Sequence, residues 1–145
     1  MAASTVQRIP LQVARDCVVA SIQIDLGAEV LRQFRRDLLE CVQANRASGV
    51  ILDVSGLEVI DLEDYNGLLR TMEMANVMGA IPVLSGLKPG VVSALIDLGA
   101  EAEGVNAALT LDDAFRLLDE IRDIPELPEE AMENGQASGS DPGKR

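Results

Sequence analysis

GVILDVSGLEVIDLEDYNGLLRTMEMANVMG, running from Gly49 to Gly79, is the stretch from which the rest of the chain is read. Val50-Ile51-Leu52-Asp53-Val54 is a short β-branched and Leu run, the pattern of a fully buried strand. Ser55-Gly56 breaks the run, and Leu57 to Ile60 continues as extended apolar chain. Asp61 opens a helix whose apolar positions, Leu68, Met72, Ala75 and Gly79, recur at spacings of four, three and four. A strand, a loop and a helix N-terminus therefore meet at Asp61-Leu62-Glu63-Asp64. In an open α/β sheet that junction is where ligands and partners act, so the candidate site is placed there.

Toward the N-terminus, Ile9 to Val13 alternates apolar and polar residues, and Pro10 suits an edge or the start of a strand. Cys17 to Ile24 is a second, clearer strand, and Arg15-Asp16 is short enough to join the two as a hairpin. Asp25 to Gly27 form a turn before a helix that runs to about Ala47. Leu31, Phe34, Leu38 and Cys41 or Val42 face inward in it, and Arg32, Arg35, Arg36, Asp37 and Glu40 supply its wet face. Ser48-Gly49 ends this helix, with Gly as the expected cap.

Toward the C-terminus, Ala80 to Ser85 is another buried strand, and Gly86-Leu87-Lys88-Pro89-Gly90 is a tight turn into a helix with Pro89 at its first position. That helix, Val91 to Leu98, turns Val91, Leu95 and Leu98 inward and stops at Gly99. Val105 to Leu109 is a last short strand. Thr110 caps a final helix with Asp112 and Asp113 in its first turn and Leu111, Ala114 or Phe115, Leu118 and Ile121 as its buried stripe. From Asp123 to Arg145, three prolines, a Gly/Ser/Asn cluster and six carboxylates read as a disordered acidic tail. Strands alternating with helices need right-handed crossovers, which stack the strands in parallel. The expected fold is a small α/β domain over residues 9–122, with a mostly parallel sheet, an N-terminal edge hairpin and about four helices.

Composition excludes several functions. The formal charge of −12, of which −8 remains without the tail, leaves no basic face to displace counterions from nucleic acid. One Tyr, two Phe and no Trp give no stacking platform for single strands. An acidic chain also repels anionic membranes, and neither a bilayer-spanning run nor a signal peptide is read, so a cytoplasmic protein is expected. There is no His, which removes the commonest general base and the commonest metal ligand together. Cys17 and Cys41 lie outside any CxxC or metal spacing and read as reduced core thiols. No nucleophile elbow or acid/base pair is present, so no catalytic residue, metal or cofactor is expected.

The segment Val54-Ser55-Gly56-Leu57-Glu58-Val59-Ile60-Asp61, the helix after it, Val83-Leu84-Ser85-Gly86-Leu87-Lys88-Pro89 and Leu98-Gly99 together resemble a STAS domain, the fold of anti-sigma factor antagonists. The resemblance covers Ile9 to Arg122. More narrowly, Asp16 to Gln23 and Asp37-Leu38-Leu39-Glu40 resemble the single-domain scaffold of the bacterial stressosome, the RsbS type. In that family a Ser or Thr directly after the aspartate is phosphorylated by a partner-switch kinase. Here that position is Leu62, and no Ser or Thr occurs between Ser55 and Thr71. Thr71 should lie two turns into the helix, out of a kinase's reach. A second threonine site of sensor-bearing relatives would fall near Leu26, which also has no hydroxyl.

What stands at the tip has its own physics. Asp61 can cap the helix, and Glu63 and Asp64 fall in its first turn, where each carboxylate contributes about 0.3–1 kcal/mol against the helix dipole. Three readings stay open: ordinary acidic caps, a built-in imitation of the phosphorylated state by Glu63 and Asp64, or an apolar contact through Leu62. Nucleotide binding at this helix end is disfavoured by the three acidic residues, and Gly86 to Gly90 lacks P-loop spacing. The resemblance implies a non-enzymatic partner-switching scaffold that assembles with itself and with STAS paralogues and holds a switch serine/threonine kinase. The alternative is a free-standing antagonist binding an anti-sigma factor one-to-one. The expected contact surface is Asp61, Leu62, Glu63, Asp64 and Tyr65.

Overall fold

In the computed structural model of the chain, which describes residues 7–123, the elements run β1 (Leu11–Ala14), β2 (Cys17–Ser21), α1 (Ala28–Asn45), β3 (Gly49–Asp53), α2 (Leu62–Val77), β4 (Ile81–Ser85), α3 (Pro89–Asp97), β5 (Ala107–Ala108) and α4 (Leu111–Asp123). The strands form one sheet in the order in which they occur in the chain. β1 and β2 are antiparallel and every other pair is parallel. Arg15 and Asp16 form the hairpin connection, both with positive φ, the turn whose twist matches that of the flanking strands. β1 starts at Leu11 because Pro10 has no N–H to give; its carbonyl still accepts from Ser21 at 3.3 Å.

Each parallel crossover steps one strand in the same direction. Right-handed crossovers then place α1, α2 and α3 on the same face of the sheet. There Phe34, Leu38, Val42, Leu68, Met72 and Ala75 pack against Val18, Ala20, Val50, Leu52 and Leu84. Among the described residues α4 alone covers the opposite face, setting Ala114, Phe115 and Leu118 on Cys17, Val19, Ile51 and Val83. Two-sided coverage is why β2, β3 and β4 read as near-continuous apolar runs and not as alternating ones.

Several boundaries differ from the sequence expectation. The C-cap of α1 is Arg46 in the left-handed region, φ 49° and ψ 47°, with its N–H on the carbonyls of Gln43 and Val42. Gly49, expected as that cap, begins β3, where a Cβ would come within 3.0 Å of Cys17 and Leu118 side chains. Gly79, expected on the inward stripe of α2, lies past its end and exposed, at φ +96°. Leu98 is 59% exposed because α3 stops at Asp97. Val105 to Leu109 pairs over two residues only, and Leu109 faces solvent. Arg35, assigned to the wet face of α1, is half-buried against α2. Asp123, taken as the first residue of an acidic tail, closes α4, and the remainder of that tail, 124–145, lies outside the described residues.

Candidate partner-binding site

β3 delivers the chain to the candidate site through a turn that its own side chains fix. The Asp53 carboxylate accepts the Ser55 N–H at 3.1 Å, and Leu57 donates its N–H to the Val54 carbonyl at 3.0 Å. Leu57 and Ile60 are buried and pin both ends of the loop to the core. Gly86, at the end of β4, leans on this turn with φ +87°, and a Cβ there would come within 2.7 Å of Ser55. Only glycine fits such a position without strain.

Asp61 is the N-cap of α2, extended at φ −82° and ψ 169°, and its Oδ1 accepts the Asp64 N–H at 2.7 Å. Asp61 and Glu63 are exposed, Asp64 and Leu62 half-buried, and Leu62 packs against the core. Burial raises the Asp64 pKa first, and the neighbouring charges of Asp61, Glu63 and Asp25 raise it further. Asp25, from the β2–α1 loop, therefore acts on this tip through its charge, and nothing in the local sequence of α2 announced it.

Tyr65, expected on the contact surface, lies in the core beneath the tip. It is 4% exposed, and its hydroxyl donates to the Glu101 carbonyl at 3.0 Å. Burial raises its pKa. Thr71 is fully buried, as its depth in the helix implied. Its hydroxyl donates to the Gly67 carbonyl at 2.9 Å and accepts from Arg35 Nε at 3.1 Å, while Arg35 Nη2 reaches the Gly67 carbonyl at 3.3 Å. This link ties α1 to α2 where Gly67 lets Leu31 approach, since a Cβ at Gly67 would come within 2.8 Å of the Leu31 side chain.

A groove of about 350 Å³ opens between the N-terminal ends of α1 and α2. Asp61, Glu63 and Asp64 line it on one side, with Arg32, Arg35 and Arg70 also in its wall. Among the described residues, none of these three arginines makes an ion pair. Leu26 lines the same groove, so both positions where the family resemblance would place a hydroxyl acceptor sit beside it. The groove thus carries both signs of charge, three carboxylates and three guanidinium groups. Among the described residues no helix is long and apolar enough to cross a membrane.

A family model described as the STAS domain matches residues 8–114. The structure of a serine-to-glutamate variant of RsbS from Moorella thermoacetica superposes with a TM-score of 0.69 at 28% identity, covering 79% of this chain and 97% of that one. A structure described as the molecular architecture of the stressosome, a signal integration and transduction hub, gives 0.67 at 27% identity, over 79% of this chain and 100% of the other. The RsbT co-antagonist protein RsbRA of Bacillus subtilis strain 168 is 24% identical over 98 residues, which are 68% of this chain and 36% of that protein. The chain thus matches about a third of the length of its curated relatives, 36% for RsbRA and 33% for RsbRB.

Proposed function

The chain belongs to the STAS domain family, and from that membership we propose that it is a non-enzymatic regulatory scaffold of a partner-switching system of the stressosome type. In this reading it assembles with STAS paralogues and holds a switch serine/threonine kinase until a signal releases it. Kinship with RsbS, with a stressosome structure and with RsbRA supports the setting.

The observation that carries the reading is the α2 tip. Asp61 and Glu63 face solvent there, Asp64 half-buried beside them, at the position where family relatives carry a phosphorylatable hydroxyl and this chain carries Leu62. A partner meets fixed negative charge at Asp61, Glu63 and Asp64 instead of a switchable group. One carboxylate brings a single charge where a phosphate brings about −1.5 to −2, so Glu63 and Asp64 together match its charge. The reading involves no chemistry at the site, in keeping with a chain that has no His.

Light scattering on the purified chain, alone and with co-purifying STAS paralogues, tests the scaffold. A very large particle is the expected result. A monomer or dimer that takes up one anti-sigma factor per chain would replace the scaffold by the free-standing antagonist.

A further inference from the structure

Away from the α2 tip, two grooves meet on the β5 side of the sheet. The first, of about 290 Å³, lies between α3 and β5 and is lined by apolar side chains including Leu84, Leu95, Ile96 and Leu109, together with Tyr65. The second, of about 600 Å³, runs beside α2 and is lined by Glu73, Glu101 and Glu103 against one cation, Arg70. Val105 lines both. The hydroxyl of Tyr65, a wall of the first groove, holds the carbonyl of Glu101, a wall of the second, at 3.0 Å. The two grooves are therefore fixed relative to each other.

Two further features make this a surface for chain and not for a small molecule. Leu109 is 78% exposed and Ile96 50% exposed, a large amount of apolar area left beside the groove. Among the described residues β5 is also an open edge of the sheet. The Asn106 and Ala108 carbonyls are taken by the N–H groups of Leu84 and Gly86. Alternation along a strand then turns the Ala107 N–H and C=O outward, where an added strand would pair.

We propose that this double groove docks an extended basic segment of a partner protein, with its apolar side chains between α3 and β5 and its Lys or Arg side chains against Glu73, Glu101 and Glu103. Charge selects the occupant. Three carboxylates face one guanidinium in the polar half, and Asp97 adds exposed negative charge next to the apolar lining residue Ile96 in sequence. A second copy of this chain brings a formal charge of −12, and residues 124–145 carry five carboxylates against Lys144 and Arg145, so both would meet repulsion there.

A fluorescein-labelled octapeptide of alternating leucine and lysine, titrated into the full chain and followed by anisotropy, tests the proposal. Glu101→Lys with Glu103→Lys should weaken binding at least about tenfold, and Leu109→Ser should weaken it several-fold. All three side chains are exposed, so the fold survives, which circular dichroism checks. Glu29→Lys with Glu120→Lys, two exposed carboxylates elsewhere, should leave affinity within about twofold. Equal weakening by that control pair overturns the proposal, as does equally tight binding of an alternating leucine–serine peptide. A chain dimer that dissociates on Leu109→Ser would make a second copy the occupant and overturn it. Tighter peptide binding after Ile124→Ser with Leu127→Ser would do the same in favour of the chain's own C-terminal segment.

Discussion

Replacing Thr71 by Val tests whether the buried link between α1 and α2 holds the candidate site in place. The side chain is fully buried, and Val has its shape, so no cavity opens. Two hydrogen bonds are lost, to the Gly67 carbonyl at 2.9 Å and from Arg35 Nε at 3.1 Å. The first costs little, because the Gly67 carbonyl keeps Arg35 Nη2 at 3.3 Å. The second leaves a half-buried charged donor without its acceptor, a loss of about 1.5–3 kcal/mol for a bond to a charged group. Removing a hydroxyl from an apolar interior returns about 0.5–1 kcal/mol of desolvation. The expected net destabilisation is about 0.5–2.5 kcal/mol, centred on about 1.5 kcal/mol, or roughly 6 °C in midpoint for a domain of this size. With no Trp in the chain, urea unfolding followed by far-ultraviolet circular dichroism is the assay. Arg35→Met keeps the aliphatic stem, and the double variant should show a coupling of about 1–2 kcal/mol with Thr71→Val. A single variant within about 0.5 kcal/mol of the parent, or strictly additive effects, refutes the idea that this pair ties the helices together.

Three other outcomes are expected. Asp61→Ala removes the carboxylate that accepts the Asp64 N–H and should lower stability by about 1 kcal/mol in the same urea assay. Asp64 has a raised pKa in the folded chain, so the folded state binds its proton more tightly than the unfolded one. Its destabilising contribution is full above that raised pKa and fades as the pH falls through it toward the ordinary carboxylate value; Asp64→Asn should remove this gain on acidification, seen by comparing unfolding at about pH 7 and about pH 4.5, and an unchanged pH slope would count against the assignment. Leu62→Ser with Glu63→Ala and Asp64→Ala should accept phosphate from a family switch kinase if the tip imitates the phosphorylated state, and no incorporation into a chain with intact circular dichroism argues the opposite.

The parts of this fold that were readable from sequence are those set by local pattern. The apolar run Val50 to Leu52 is β3, the cap at Asp61 starts α2, Pro89 opens α3, and Thr110 accepts the Asp113 N–H at 3.1 Å at the start of α4. The site was legible only in part. Tyr65, expected on the contact surface, is buried, and that place was readable: it stands three before Leu68 and seven before Met72, on the same buried stripe. Arg35 had no such signal, since its partners Thr71 and Gly67 lie 36 and 32 residues away. The charge of Asp25 acts on Asp64 for the same reason, through sheet order and not through sequence neighbours. Arg46 in place of Gly49 as the helix cap shows the limit of reading glycine as punctuation: the left-handed residue was a charged one, and the glycine was needed three positions later for close packing.

The order of the strands bears on how the molecule is made. Every strand lies beside the one synthesised just before it, so each strand after β1 finds a pairing partner already made. A nascent chain can zip outward from the β1–β2 hairpin, one helix and one strand at a time, with short loops to close at each step. What stays open longest is the far side of the sheet: Cys17, Val19, Ile51 and Val83 remain bare to water, or to a chaperone, until translation has passed Asp123 and α4 can settle over them.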